Sequence, residues 1–190
     1  MICDTPARFI PGMKWVLRFS TARRLLRQQE GAAAIEFGLV AAPFLALVFA
    51  IMETALVFFA GQTLESAASD SARLIMTGQA QTAGFDLAKF KEAVCSRIYA
   101  LFDCNGGLLI DVKNYNSFAT INTAKPIDSN GNLQAGDFGY QPGGPGDIVV
   151  VRLMYQWPVF VSLLGLNLSD MSGGKRLLMS TVAFRNEPYQ

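Results

Sequence analysis

The sequence predicts an α+β protein whose long N-terminal helix crosses a membrane and continues as a stem into a small outer domain. Three observations support this. Of 190 residues, 51% are hydrophobic and 16% are charged, below the roughly one quarter that is typical of globular proteins. An apolar run over residues 32–61 carries only Glu36 and Glu53 as charges. Residues 62–190 are more polar and combine further helical periodicity with three strand-like segments.

The apolar run predicts a single membrane-spanning helix. A helix needs about 20 apolar residues to cross the hydrocarbon core, and residues 32–61 exceed that length. Residues 1–31 form a basic leader, so the N-terminus is expected in the cytoplasm and residues 62–190 in the periplasm of a bacterial cell. A secretory signal has an apolar core of only about 7–15 residues and a small-residue cleavage site behind it. Neither property is present, which argues against a cleaved secretory signal.

A cleavage motif stands at the near end of the run. Gly31 is followed by four small or apolar residues, and then by Glu36 and Phe37. A basic leader, a glycine, four such residues, a glutamate and an aromatic residue, in this order, resemble the type IV prepilin cleavage site. In that family a membrane-embedded peptidase cuts after the glycine, so the resemblance implies cleavage between Gly31 and Ala32.

Both ends of residues 30–190 resemble the TadE-like pilus assembly family of the tight-adherence (Flp) pilus system. The residues concerned are 30–37, Glu-Gly-Ala-Ala-Ala-Ile-Glu-Phe, and 184–189, Phe-Arg-Asn-Glu-Pro-Tyr. The middle of the chain matches that family only in layout. The resemblance implies a minor pilin or pseudopilin that helps to initiate or cap a thin adhesive pilus. The major Flp pilins are much shorter, so the main filament subunit is not expected.

The resemblance also implies the partners and the location. The partners would be a prepilin peptidase, a second minor pilin, the major Flp pilin and an inner-membrane assembly platform, with membrane lipid around the helix. The chain would be a single-pass inner-membrane protein that is also incorporated into the extracellular pilus. The alternative is an uncleaved single-span inner-membrane protein that presents a periplasmic binding module.

Glu36 is the candidate assembly residue, together with the adjacent Phe37. A carboxylate at the edge of a membrane helix is costly and usually has a partner. Cleavage would create an amine on Ala32, four residues away, or roughly 6 Å along a helix. The resemblance implies that Glu36 meets the N-terminal amine of a neighbouring subunit. The alternative is that Glu36 only reaches the lipid headgroups.

Small residues recur at every fourth position of the span and predict a helix-packing stripe. Its members are Gly38, Ala42, Ala46 and Ala50. The alternative is that the segment is simply rich in alanine. Pro43 predicts a kink or local loosening. Glu53 is expected to be a solvated carboxylate at the outer membrane face, and pairing with a partner helix is the alternative.

The outer domain is expected to begin with the continuation of the membrane helix. Helical spacing continues to Thr77, and Gly78 is a plausible end. Asp86 is expected to cap a second helix that runs to about Phe102. Cys95 and Cys104 would form a disulfide in an oxidising periplasm, or else two buried thiols, whereas Cys3 in the leader would be lost on cleavage.

Three strands are predicted to form an antiparallel sheet on these helices. Their expected ranges are 108–115, 147–157 and 175–184, and Pro158 should end the second strand. Residues 126–146 are rich in glycine and proline and are expected to form an exposed loop. Residues 165–174 are expected to form a second, shorter loop.

The composition argues against several classes of function. The chain has no histidine, and its three cysteines form no C-x-x-C pair, so we expect no metal, no cofactor and no enzymatic activity. The formal net charge of +1 argues against nucleic-acid binding. Four aspartates are expected to be dispersed and solvated rather than to form a calcium site or a catalytic pair: Asp111, Asp128, Asp137 and Asp147.

Overall fold

A computed structural model describes residues 30–98, 101–104, 106–160 and 167–189. The chain divides into two compact units, Met1–Leu45 and Ala46–Gln190. Residues 30–45 are the described part of the first unit. Most of the predicted leader, with Cys3, lies outside the described residues, as do residues 165 and 166 of the second predicted loop.

The predicted long helix is confirmed as α1, Glu30–Met76, which includes Pro43. Alanine and leucine, which are frequent in this segment, favour the helical conformation. The hydroxyl of Thr54 donates to the carbonyl of Ala50, one turn earlier, at 2.8 Å. The helix ends where the sequence predicts. Gly78 follows with a φ of 76°, a left-handed conformation that glycine adopts without strain.

One face of α1 within the second unit is buried at helical spacing. The buried positions are Ala50, Glu53, Val57, Ala60, Leu64, Ala67, Ala68, Ser71, Ala72 and Ile75. Most of them join the main hydrophobic core with Phe90 and Val94 from a later helix. This face therefore organises the second unit around the second half of α1.

Two shorter helices follow, α2 at Gln79–Thr82 and α3 at Leu87–Cys95. Asp86 caps α3 as predicted, because its carboxylate accepts the N–H of Lys89 at 2.8 Å. The expected extension of this helix to Phe102 is wrong. After Cys95 the chain changes to tighter turns, with Ile98 N–H donating to the carbonyl of Cys95 at 3.2 Å, and a disulfide then joins Cys95 to Cys104.

The predicted sheet is confirmed with strands β1 at Leu108–Tyr115, β2 at Ile148–Pro158 and β3 at Lys175–Arg185. The order is β1-β2-β3, and both pairs are antiparallel. The β-branched run at the start of β2 fits its central position, since such side chains pack well on a pleated surface.

The two faces of the sheet are covered differently. One face lies on the main core around α1. The other face packs against loop residues, with Met154, Met171 and Leu177 at the centre of a second, smaller hydrophobic cluster.

Residues 126–146 form the loop that the glycines and prolines predict, but it is only partly exposed. Ile127, Leu133 and Phe138 pack against the second cluster. Tyr140 forms an isolated parallel bridge with Val112 of β1. The loop therefore also caps the outer edge of β1.

Candidate functional site

The first candidate feature is the start of α1. Every residue from Gly31 to Val40 is exposed, including Glu36 and Phe37. A side chain added at Gly31 would meet no atom within 4 Å. Within the described part of the chain, no ion pair involves Glu36. The residues of the predicted cleavage motif are thus accessible along one helical segment.

The first half of α1 exposes large apolar side chains on most of its surface. Examples are Phe37 at 75% and Leu39 at 72% exposure. The most apolar stretch of Gly31–Met76 has a mean hydropathy of 2.3. This helix is therefore long and apolar enough to cross a membrane. Exposed apolar surface of this extent marks contact with lipid or protein. One helix of this kind near the N-terminus indicates a single-pass membrane protein.

The exposure of the predicted packing stripe decreases along its length. Gly38 and Ala42 are exposed and Ala46 is half-buried. Ala50 is buried at 7% exposure in the second unit. The first three positions are therefore the ones that another helix can still approach.

Glu53 does not lie where the sequence suggests. The expectation of a solvated carboxylate is wrong, because the residue is only 7% exposed. Its Oε1 accepts the backbone N–H of Phe160 at 2.5 Å. The hydrophobic spacing of α1 could have indicated this burial, since Glu53 falls between Ala50 and Val57 on the buried face.

Cys95 and Cys104 are joined by a disulfide with a Cα–Cα distance of 5.8 Å. Beside it, the Phe102 ring packs edge-on against Tyr155, with 4.8 Å between ring centroids. The Tyr155 hydroxyl also accepts the N–H of Asp103 at 3.2 Å. The short segment after α3 is thereby fixed to β2.

The closing segment of the chain forms a clamp that sequence reasoning did not find. The Asn186 amide donates to the carbonyls of Pro142 and Gly144, each at 2.9 Å. Its own N–H donates to the carbonyl of Asp147 at 2.8 Å. The Arg-Asn-Glu-Pro ending, which carried the family resemblance, was the available signal.

The same segment also fixes the end of α1. The N–H of Glu187 donates to the carbonyl of Met76 at 2.8 Å. The Tyr189 ring lies so close to Gly78 that a Cβ there would overlap it. Glycine is therefore required at position 78 for space as well as for its φ angle.

A buried ion pair holds the long loop to the second face of the sheet. Asp111 is fully buried, and its Oδ2 accepts from Arg152 Nη2 at 2.6 Å and Nε at 3.2 Å. Its Oδ1 accepts the N–H of Gly139 at 3.0 Å. The expectation that Asp111 is solvated is wrong, because its cross-strand partner in β2 is Arg152.

The other three aspartates have local structural roles or lie apart. Asp128 accepts N–H bonds within its own turn, first from Asn132, and these hold its pKa below the ordinary value. Asp147 accepts the N–H of Gly144 at 2.8 Å. Within the described ranges, no three acidic or cysteine side chains are grouped so that they could hold a metal ion.

Tyr140 and Asp170 have perturbed pKa values that reflect packing. Burial and the charge of Asp86 raise the pKa of Tyr140 to about 12. Burial raises the pKa of Asp170, but hydrogen bonds from Lys125 and Leu177 outweigh it and hold that pKa below its ordinary value. Asp170 links Lys125 to Leu177 of β3, whereas the Tyr140 ring packs against Phe90 of α3 with 5.4 Å between ring centroids.

The last candidate feature is the outer edge of β3. No strand among the described residues pairs with that edge. A groove of about 370 Å³ follows it and is lined on one side by Phe58, Gly61 and Glu65 of α1, and on the other by Arg176 and Ser180. An uncovered edge of this kind is a template for another strand.

These features together define an α+β protein with an exposed N-terminal apolar helix of membrane-spanning length and a folded second unit. A family model described as TadE-like protein matches residues 31–73. The match begins at Gly31 and lies within α1, which confirms the resemblance to that family of pilus components. Comparison with curated proteins gives no match, and comparison with solved structures gives none.

Proposed function

We propose that this protein is a minor pilin or pseudopilin that is required to initiate or cap a Tad-type pilus. The observation that carries the proposal is the TadE-like match, which begins at Gly31 of the predicted cleavage motif. The second unit, Ala46–Gln190, is called the outer unit here because it would lie outside the cytoplasm. The exposed apolar half of α1 and this folded outer unit suit a subunit that leaves the bilayer during assembly. The family is one of pilus components, and the protein is proposed to act without catalysis.

Processing is proposed to occur between Gly31 and Ala32, carried out by a prepilin peptidase. The exposure of Gly31–Val40 supports access to this bond. The basic leader would keep the cleavage site on the cytoplasmic side, and the outer unit would fold in the periplasm. The Cys95–Cys104 disulfide suits that oxidising compartment.

Assembly is proposed to pair Glu36 with the new Ala32 amine of a neighbouring subunit. The carboxylate is exposed in an apolar segment, where an unpaired charge is unfavourable. Pairing would cancel two charges and fix the stagger of adjacent helices. Gly38, Ala42 and Ala46 would allow the close approach.

The outer edge of β3 is proposed to bind an extended segment of the second minor pilin. Residues 177–184 contain no charge and no proline that would block such pairing. The N–H of Leu177 points away from β2, because it donates to Asp170. Thr181 has the same parity, so Thr181→Pro removes an outward donor and should abolish co-purification of the second pilin. Unchanged co-purification would contradict this docking edge.

The assembly proposal is tested by counting surface pili in variants expressed at equal levels. Gly31→Phe should block maturation and piliation, whereas Gly38→Phe should leave maturation intact. Glu36→Ala should be processed and yet give few pili, because the amine loses its partner. Normal piliation by Gly31→Phe would support the uncleaved single-span protein instead, and normal piliation by Glu36→Ala would refute the pairing.

A further inference from the structure

The end of β2 is attached to the membrane helix through Glu53. Phe160 lies two residues after the end of β2, and its backbone N–H donates to the Glu53 carboxylate at 2.5 Å. The Phe160 side chain is 82% exposed. A polar backbone group is thus satisfied on the helix, while a large apolar ring is left uncovered.

The length of the uncharged segment places Glu53 inside the span. Phe37 to Met52 is 16 residues without a charge. The hydrocarbon core requires about 20 residues of helix, so it must extend past Glu53 to about Leu56. A carboxylate at that depth needs a partner other than water. The N–H of Phe160 provides one, and Phe160 must therefore lie at the same depth.

The surface around this contact is suited to lipid. Phe49, Met52, Leu56, Trp157 and Phe160 line a shallow cavity of about 200 Å³ around Glu53. Apart from Glu53, its lining is apolar and aromatic. It is continuous with the exposed apolar surface of α1, which indicates the same lipid environment. Tryptophan favours the boundary between headgroups and acyl chains.

We propose that the end of β2 inserts into the outer lipid boundary beside Glu53, with Trp157 and Phe160 as its anchors. The partner of this surface is the phospholipid bilayer. The outer unit would then rest on the membrane at a fixed depth. The inference depends on the membrane span, and it holds for the cleaved and the uncleaved chain alike.

The test uses tryptophan emission from the full chain in phosphatidylcholine–phosphatidylglycerol vesicles. The chain has two tryptophans, so Trp15→Phe leaves Trp157 as the single emitter. Lipids brominated in the upper part of the acyl chain should quench Trp157 more strongly than lipids brominated near the chain end. In a Trp15→Phe, Trp157→Phe background, Phe160→Trp should be quenched still more strongly, because that side chain is more exposed.

The matched control is Phe118→Trp in the same background. Phe118 is 53% exposed and follows Tyr115, which pairs with Ile148 at the opposite end of β2 from Trp157. The nine residue steps from Ile148 to Trp157 correspond to roughly 30 Å at strand rise. The control should therefore not be quenched by either lipid. Equal quenching of Phe160→Trp and Phe118→Trp, or none of either, would overturn the proposal.

Discussion

Replacing Asn186 with aspartate tests whether the closing segment clamps the loop that precedes β2. The side-chain amide donates to the carbonyls of Pro142 and Gly144 at 2.9 Å, and the residue is 3% exposed. Aspartate has nearly the same shape. The change replaces two donated hydrogen bonds by a carboxylate oxygen that faces two carbonyl oxygens.

The magnitude follows from these two bonds. Each hydrogen bond contributes about 0.5–1.5 kcal/mol, so Asn186→Ala should lower the free energy of unfolding by about 1–3 kcal/mol. Asn186→Asp should lower it by about 3–5 kcal/mol at neutral pH, the range for an uncompensated buried charge. The folded-state pKa of the new carboxyl should be raised above an unfolded value of about 3.9. The penalty should therefore grow as pH rises above that value and shrink below it.

The assay is urea unfolding of the full chain in detergent micelles, followed by Trp157 emission in the Trp15→Phe background. Glu187→Gln is the control, because that side chain is exposed and the change should alter stability by less than about 0.5 kcal/mol. If Asn186→Asp is as stable as this control, the proposed clamp contributes nothing and the reasoning fails.

Three further predictions concern the outer unit. Asp111→Ala should lower the free energy of unfolding, measured in urea, by about 3–5 kcal/mol, because it leaves Arg152 charged and buried. Adding Arg152→Met should recover part of this loss, and no recovery would contradict the ion pair's role. Cys95→Ser opens a loop of sequence separation 9. It should lower the free energy of unfolding by about 2.7 kcal/mol, because the unfolded chain gains conformational entropy. Equal unfolding midpoints of the wild type with and without reductant would contradict this prediction. Burial raises the pKa of Asp170, but Lys125 helps to hold this pKa below its ordinary value of 3.8. The wild type should therefore lose stability relative to Asp170→Asn as the pH falls below 3.8. A stability difference that stays constant across acid pH would contradict this prediction.

The elements that local sequence determines were predicted well. Gly78 and Asp86 mark helix ends through their own backbone and side-chain chemistry. The β-branched run at Ile148–Val151 and the break at Pro158 likewise define the central strand. Each of these signals acts on its immediate neighbours, so no knowledge of distant contacts is needed.

The errors concern residues whose partners are distant in sequence. Glu53 bonds to Phe160, 107 positions later, and Asp111 bonds to Arg152, 41 positions later. Charge alone suggested solvent for both carboxylates. The sequence predicts too long a helix after Asp86, because the apolar spacing continues to Phe102. In the structure this helix, α3, ends at Cys95, since the turn at Ile98 and the disulfide redirect the chain.

The candidate site divides in the same way. The cleavage motif around Gly31 and Glu36 is local in sequence and was recognisable from it. The clamp made by Asn186 required the fold, because its acceptors lie in the loop at residues 142–144. The open edge of β3 also follows only from the order of strands in the sheet.

The most direct test of the central claim is the N-terminal residue of the protein in native membranes, measured by intact mass or sequencing. Prepilin-type processing predicts a chain that starts at Ala32 and retains all of residues 32–190. A chain that starts at Met1 would contradict prepilin-type processing and leave an uncleaved single-span protein. A start beyond Gly61 would show a secretory signal and would contradict the membrane-anchored subunit altogether.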